Sequence, residues 1–490
     1  MISFIIAFVA LVAGYFIYGA LVDRIFKTDP SRPTPASTMA DGIDYVAMPT
    51  WKVYLIQFLN IAGVGPIFGA IMGVMYGPAA FLWIVFGTIF AGAVHDFISG
   101  MISLRLGGKS LPEIVGSELG KKIKFIMSLF TCILLVMVIA VFVRTPANLL
   151  ATLTPEHLDA TFWAVCIFLY YVLATLLPVD KLIGNLYPLF GFALLFMAVG
   201  IMSYMVFNGV EIPDGFSEGL FNRHPAGEAA PIFPMMCISI ACGAISGFHA
   251  TQSPMMARCL NNEKHGRKVF YGAMVSEGVV ALIWAAAAIA FTGGYDKLAS
   301  YMASNGQDAG ILVHEVCVNW LGAFGGVLAI LGVIAAPITT GDTAMRSLRL
   351  IVADALGVSQ KQFVKRLLVT LPIIALSFLL LRVNFDILWR YFAWCNQTLS
   401  IFTLWACSVY LAKARKAYLI TMIPAMFMTA LCVTFICYAP LGAYAEGFGL
   451  PLEYAECLGV LITLIFTGLF FNWKRNADAG RLDLGVGKGA

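Results

Sequence analysis

Asn60-Ile-Ala-Gly-Val-Gly-Pro66 and Gly243-Ala-Ile-Ser-Gly-Phe-His-Ala-Thr-Gln-Ser-Pro254 place glycines and a proline in the middle of apolar segments long enough to cross a bilayer. The interior of a helix in lipid is where such residues should be avoided. An unpaired amide or carbonyl there costs several kcal/mol unless protein, water or a bound molecule satisfies it. Paired interruptions at matching places in two halves of a chain mark a site where main-chain atoms are left free to bind something.

The surrounding composition supports a membrane setting. Of 490 residues 60% are hydrophobic and 12% charged, about half the charged fraction of a soluble domain. The apolar residues fall in runs of about 20, the length of a crossing. The chain therefore reads as an all-α polytopic membrane protein. The first run, 2 to 22, has no positive charge ahead of it and no small-residue cleavage site, and is expected to be a retained helix rather than a leader.

Thirteen crossings are expected, near 2–22, 51–76, 79–104, 123–143, 161–177, 185–207, 231–257, 269–292, 321–342, 367–381, 387–411, 418–438 and 455–473. The basic residues test this count, because positive loops stay in the cytoplasm. With the N-terminus outside and the C-terminus in the cytoplasm, 26 of the 31 Lys and Arg fall on inward segments. The exceptions are Arg144, Arg223, Lys297, Arg382 and Arg390. The net charge of +4 is thus a matter of topology and calls for no nucleic-acid partner. The partners expected are the lipid bilayer and a small-molecule substrate, with the oligomeric state left open. The eleven cysteines contain no CxxC pair and act as small hydrophobes.

Spans two to six form one set of five and spans seven to eleven another, each opening with an interruption. Because five is odd, the second set enters from the opposite face, giving two inverted repeats whose broken helices meet at midplane. The chain divides into a peripheral first helix with a cytoplasmic loop, 1–50, the first repeat, 51–207, the second repeat, 208–412, and two peripheral helices with a tail, 413–490. A short surface helix is expected within 295–318. The Gly-rich tail after Asn476 is expected to be disordered.

The run Gly65-Pro-Ile-Phe-Gly-Ala-Ile-Met-Gly-Val-Met-Tyr-Gly-Pro78, with Phe81-Leu-Trp-Ile84 and Gly92-Ala-Val-His-Asp-Phe-Ile-Ser-Gly-Met101, closely resembles the carbon starvation protein A family of bacterial inner-membrane transporters. Asp41-Gly-Ile-Asp-Tyr-Val46 and Thr340-Gly-Asp-Thr-Ala-Met-Arg-Ser347 resemble it too. The resemblance implies uptake of small nutrients, with peptides and pyruvate as the associated substrates. It also implies a place in the amino acid, polyamine and organocation superfamily, with its LeuT-like five-plus-five core. The chain is shorter than many members, chiefly toward the C-terminus.

Main-chain atoms around Gly63, Gly65, Gly69, Ser246 and Gly247, with the side chains of Asn60, Ser246, Thr251 and Gln252, are the candidates for gripping a solute; Gln57, one turn before Asn60, faces the same way. His95, Asp96, His249, Glu277 and Asp342 are ionisable and lie in the inner half of the bilayer, where each is expensive and functional by default. His95, Asp96, His249 and Glu277 are candidates for a proton relay. The alternative is that Asp96, Glu277 and Asp342 pair with Arg105, Arg346 or Arg349 and hold helices together. Asp342 sits beside Thr339, Thr340 and Thr343, and in the resembled superfamily this helix faces the first broken helix to form a sodium site. Ala62, Thr339, Thr340, Asp342 and Thr343 are therefore the candidate coupling-ion residues, for either Na⁺ or H⁺. Arg390 and Trp394, with Asn396 and Gln397, form a polar and aromatic group in the outer half that suits a gate; the alternative for Arg390 is a snorkelling residue beside Asp386.

Neither GxxxxGK[ST] nor HExxH occurs, GxSxG occurs only as Gly215-Phe-Ser-Glu-Gly219 in a loop between expected spans, and no nucleophile and base pair suggests an enzyme. No resident cofactor or further metal is expected. The reading is an ion-coupled secondary transporter of small organic nutrients working by alternating access. The alternatives are an ion or solute channel, or an amino-acid symporter of the same fold.

Overall fold

The computed structural model describes residues 1–176, 179–305, 309–359, 362–383, 385–439 and 447–479. Helices α1 (Ile2–Phe16) and α2 (Tyr18–Phe26) lead to a loop and then to α3 (Thr50–Ala62), which stops at Gly63. That glycine has φ 51° and ψ −133°, a backbone shape that side-chain-bearing residues avoid. A π-helical turn, Gly65–Gly69, and α4 (Ala70–Val74) resume the crossing at an angle of 52°. Next come α5 (Ala79–Phe86), a π-helical turn over Gly87–Gly92, α6 (Ala93–Arg105), α7 (Leu111–Leu119), α8 (Lys121–Leu153), α9 (Ala160–Leu176) and α10 (Val179–Phe207).

The second repeat opens with a π-helical turn over Ile232–Met236 and one helical turn, Cys237–Ser239. Residues 240–248 are then non-helical, and α11 (His249–Ala257) completes the crossing. It continues with α12 (Gly272–Thr292), α13 (Tyr295–Ser304), α14 (Ala309–Leu356), α15 (Phe363–Leu380), α16 (Phe385–Lys413), α17 (Leu419–Tyr438) and α18 (Leu452–Asp478). The short helix expected within 295–318 is α13.

Among the described residues nine helices are long and apolar enough to span a bilayer, and the bent pair α3 and α4 makes a tenth. The expectation of thirteen exceeds this by three, each with a local reason. One expected span falls on the shorter α9, one on the stretch interrupted at 240–248, and one on α16, whose apolar run is diluted by Asn396 and Gln397. The ninth expected span, 321–342, is also longer than anticipated. Gly322 kinks α14, and the portion after the kink, Gly325–Leu356, continues 14 residues past the expected end. The last helix runs beyond Asn476 to Asp478, and the tail from 480 onward lies outside the described residues.

The core packs α14 along α8, α10 and α3, while α11 lies on α6. The peripheral α17 packs between α16 and α18, and α1 rests on α12 and α5. The loop before α3 packs against this core. Burial works against the charge on Asp41, but the main-chain amides of Tyr45, Ile43 and Asp44 outweigh it and hold the carboxyl below its ordinary value. The turn it caps is therefore at full strength at neutral pH and weakens only as pH falls through that lowered value. The turn carries Asp44 inward, where its Oδ1 lies 3.3 Å from Arg346 Nη1 and 3.9 Å from Arg349 Nη2. Met48 pairs with the end of the second interrupted segment, its amide donating to the Cys259 carbonyl at 3.1 Å. One loop thus ties the entry of α3 to the exit of α11 and to α14.

Removing one partner of a buried ion pair leaves the other charge uncompensated, at a cost of about 3–5 kcal/mol. Asp44→Ala should accordingly lower the thermal unfolding midpoint of the detergent-solubilised protein markedly, whereas Glu456→Ala, on exposed α18, should leave it within a degree or so of the parent.

Candidate functional site

The two interruptions meet. A Cβ on Gly65 would overlap the Cys242 side chain, and one on Gly69 would come within 2.8 Å of the Ser239 carbonyl oxygen. Glycine is needed at 65 because the two unwound segments touch there. On the other side of the second break, a Cβ on Gly247 would overlap the Asn396 main-chain oxygen of α16.

Carbonyls freed by the interruptions are capped by side chains from other elements. Thr340 Oγ1 donates to the Asn60 oxygen at 3.2 Å, Thr88 Oγ1 to the Gly243 oxygen at 3.0 Å, and Gln397 Nε2 to the Cys237 oxygen at 3.0 Å. Trp83 Nε1 also donates to the Cys237 oxygen, at 3.2 Å.

A cavity of about 450 Å³ lies beside both breaks. Val64, Gly65 and Gly69 line it from the first, and Ile238, Ser239 and Cys242 from the second. Asn396 enters from α16, and His224, Ala226, Ala229 and Ala230 line it from the loop after α10. Most of the remaining lining is apolar, including Phe68, Met72, Met235 and Phe435. Asn396 Nδ2 reaches Ser246 Oγ at 3.4 Å, joining the cavity wall to the second break.

The other predicted residues divide into separate groups. Gln57 Nε2 donates to both oxygens of Asp96 at 2.9 Å, and Ser253 donates to the same carboxylate. His95 and His249 face each other Nδ1 to Nδ1 at 2.9 Å, and His249 Nε2 lies 3.1 Å from the Met274 sulfur. Glu277 is buried close enough to Asp96 and Cys242 for the charges to interact, and neither of its oxygens has a hydrogen-bond partner among the described residues. Gln252 Nε2 donates to Thr343 Oγ1 at 2.6 Å, so a residue expected to grip solute and one expected to hold an ion are neighbours. Both polar atoms of the buried Asn60 side chain lack a partner among the described residues. Thr251 Oγ1 turns back to the Phe248 oxygen at 2.9 Å, and Thr339 Oγ1 to the Ala336 oxygen at 2.9 Å.

Asp342 stands apart from Thr340 and Thr343. Two residues turn a helix by about 200°, so when Thr340 faces Asn60 the Asp342 side chain faces the other way. It accepts a hydrogen bond from Tyr187 of α10 and lies in the field of Arg346 and Arg349. Arg105 pairs with Glu263, at 2.5 Å, and not with Asp96. Trp394 points away from the cavity and donates to the Cys432 oxygen of α17 at 3.0 Å. The side chains of Arg390 and Asp386 lie outside the described residues. Sequence reasoning missed Thr88, Tyr187 and the Asp44 ion pair, which become partners only through contacts between distant segments.

The comparisons agree with this architecture. The sequence model of the family described as carbon starvation protein CstA matches residues 1–158 and 152–319, and the chain belongs to that family. An uncharacterized membrane protein of Haemophilus influenzae is 43% identical over 339 residues, covering 59% of this chain and 91% of its own length. The peptide transporter CstA of Campylobacter jejuni is 30% identical over 63% of this chain and 52% of its own. The pyruvate/proton symporter BtsT of Escherichia coli is 27% identical over 59% of this chain and 48% of its own. The chain thus spans about half the length of these named transporters. Among solved structures, MhsT in complex with L-phenylalanine superposes with a TM-score of 0.53, over 86% of this chain and 99% of that one, at 15% identity. A manganese transporter of Eremococcus coleocola gives 0.52 over 89% and 98%, at 13% identity. The fold is therefore LeuT-like, an all-α membrane architecture.

Filling the space at either break should disable it. Misplacing a binding group by about 1 Å can cost on the order of a hundredfold. Gly63→Val and Gly247→Val should each lower saturable solute uptake by about that factor, while circular dichroism of the purified variants stays at the parental helix content.

Proposed function

We propose that this chain is a secondary active transporter that carries small organic nutrients, pyruvate-like carboxylates or short peptides, into the cell by proton-coupled alternating access. The observation that carries the reading is the meeting of two interrupted helices beside a cavity, with main-chain caps supplied by side chains of neighbouring helices. A carrier needs that arrangement, because free amides and helix ends can bind a solute without a dedicated charged side chain. The names of the relatives, peptide transporter and pyruvate/proton symporter, favour the same substrate classes and the proton. We place the chain in a bacterial inner membrane with its N-terminus outside and its C-terminus in the cytoplasm, on the strength of the basic-residue distribution.

The unit that moves comprises both broken helices with α5, α6 and α12, rocking against the remaining helices. The coupling proton belongs on Asp96. Its hydrogen-bond donors, Gln57 and Ser253, are neutral, so a change of charge strands no buried cation, and Glu277 lies near enough to share the load. Asp342, beside arginines, acts in this scheme as a fixed counter-charge. Thr340 and Thr343 are engaged with Asn60, Gln252 and their own helix and serve as packing donors.

The deciding experiment is uptake by purified protein in liposomes, presenting pyruvate, short peptides and amino acids under separate proton and sodium gradients. Accumulation driven by the proton gradient is expected; currents at channel rates without saturation would overturn the carrier. In the same assay Asp96→Asn should abolish accumulation against a gradient yet retain solute exchange at zero gradient. Asp342→Asn should keep proton-driven accumulation at reduced protein stability. The reverse pattern would move the proton to Asp342.

A further inference from the structure

Among the described residues that line the cavity beside the breaks there is no Lys, Arg, Asp or Glu. Tyr76 and Cys242 line it, but such groups ordinarily titrate at about 8.5 or above. The lining side chain suited to changing charge near neutrality is His224, from the loop after α10. That loop holds the ring firmly. The His224 amide donates to Asn222 Oδ1 at 3.0 Å, Asn222 Nδ2 donates to the Ala230 oxygen at 2.7 Å, and the ring stacks on Tyr76, just past α4, with centroids 4.4 Å apart. One edge of the ring is already engaged. The Ala226 amide donates to Nδ1 at 3.2 Å, so the neutral ring carries its proton on Nε2, which has no hydrogen-bond partner among the described residues. Partial burial holds the imidazole below its ordinary value. The neighbouring charges are occupied or exposed. Arg223 is engaged by Glu218 at 2.6 Å and by Asp296 of α13 at 3.7 Å, and it lies against the Tyr295 ring. Glu228, on the same loop, is exposed, and its main-chain oxygen accepts from Tyr438 of α17 at 3.0 Å.

We propose that His224 is the carboxylate-recognition residue of this cavity, its Nε2–H meeting an anionic solute, so that capture tightens as the external medium becomes acid. The inference rests on the carrier reading of the same site and names the chemistry of its first contact with cargo. In the proposed orientation the loop after α10 is external, so the ring meets the outer solution. Protonation of the empty site is opposed by the geometry. A charged ring carries a hydrogen on Nδ1 as well, and that hydrogen would face the Ala226 N–H donor to donor. A carboxylate on Nε2 offsets the loss, because a hydrogen bond between ionised groups is roughly twice as strong as a neutral one. Proton and carboxylate therefore bind at His224 together, each raising the affinity of the other. A bound anion moves the imidazole back toward its ordinary value of about 6.5. The gain is thus absent well above that pH and grows as the pH falls through it, and an uncharged solute receives none of it. This proton is separate from the coupling proton on Asp96: it acts on capture at the external loop and not on translocation.

The test measures exchange of labelled pyruvate, and of the dipeptide Ala-Ala, by full-length protein in liposomes with the same pH on both sides, so that no gradient drives the flux. Measurements at about pH 7.5 and about pH 5.5 bracket the ordinary histidine value. Over this interval the KM of the parent should fall about fivefold more than that of His224→Gln, the difference between a charged and a neutral hydrogen bond. His224→Arg, charged at both pH values, should keep the lower KM at both. At each pH the maximal exchange rates of the variants should match the parent, which separates a capture residue from the coupling carboxylate. Glutamine, like histidine, offers an acceptor to the Ala226 amide, so the loop is retained. An equal pH dependence of KM in the parent and in His224→Gln, or a raised KM at both pH values in His224→Arg, would overturn the assignment and leave the carrier standing. A parent that moves neither compound, nor any other acid or peptide, under any gradient would overturn the carrier reading and the assignment with it.

Discussion

A main-chain carbonyl released from a helix in the middle of a membrane has to find a donor, and that constraint organises the whole molecule. Interrupting two crossings leaves oxygens at Asn60, Cys237, Ile238 and Gly243 in need of partners, and each accepts from a side chain elsewhere in the chain. A typical bond of this kind contributes only about 0.5–1.5 kcal/mol net, whereas leaving the group unpaired in the interior costs about 1–3 kcal/mol. The caps are therefore conditions for the unwound segments to exist at all. They also dictate packing. Thr340 and Gln397 belong to helices other than the interrupted ones, so every cap they make also docks the breaks against their surroundings.

The same scarcity of polar partners sorts the buried charges into two kinds. Asp96 is held by an amide and a hydroxyl, both neutral. Asp44 is held by arginines, and Asp342 sits in the field of the same pair. In a low-dielectric interior, neutralising the second kind would strand a cation, a penalty larger than most conformational differences. Only the first kind can change charge cheaply as the protein changes shape. The facing imidazoles of His95 and His249 lie on the same two helices as Asp96 and Ser253. They join those helices by a contact in which one ring donates and the other accepts, so protonating both would push the helices apart.

The interruptions and the order of the helices were legible in the sequence, because each depends on position along the chain. The same positional reading picked out His95, Asp96, His249 and Glu277 together, and all four are buried. Direction around the helix was not legible. Asp342 was grouped with Thr340 and Thr343 by adjacency, although two residues along a helix point to nearly opposite sides. Trp394 and Asn396 were grouped likewise, yet one faces α17 and the other the cavity. Asp44 and Arg346 lie 302 residues apart and become partners only when the loop before α3 packs against the core.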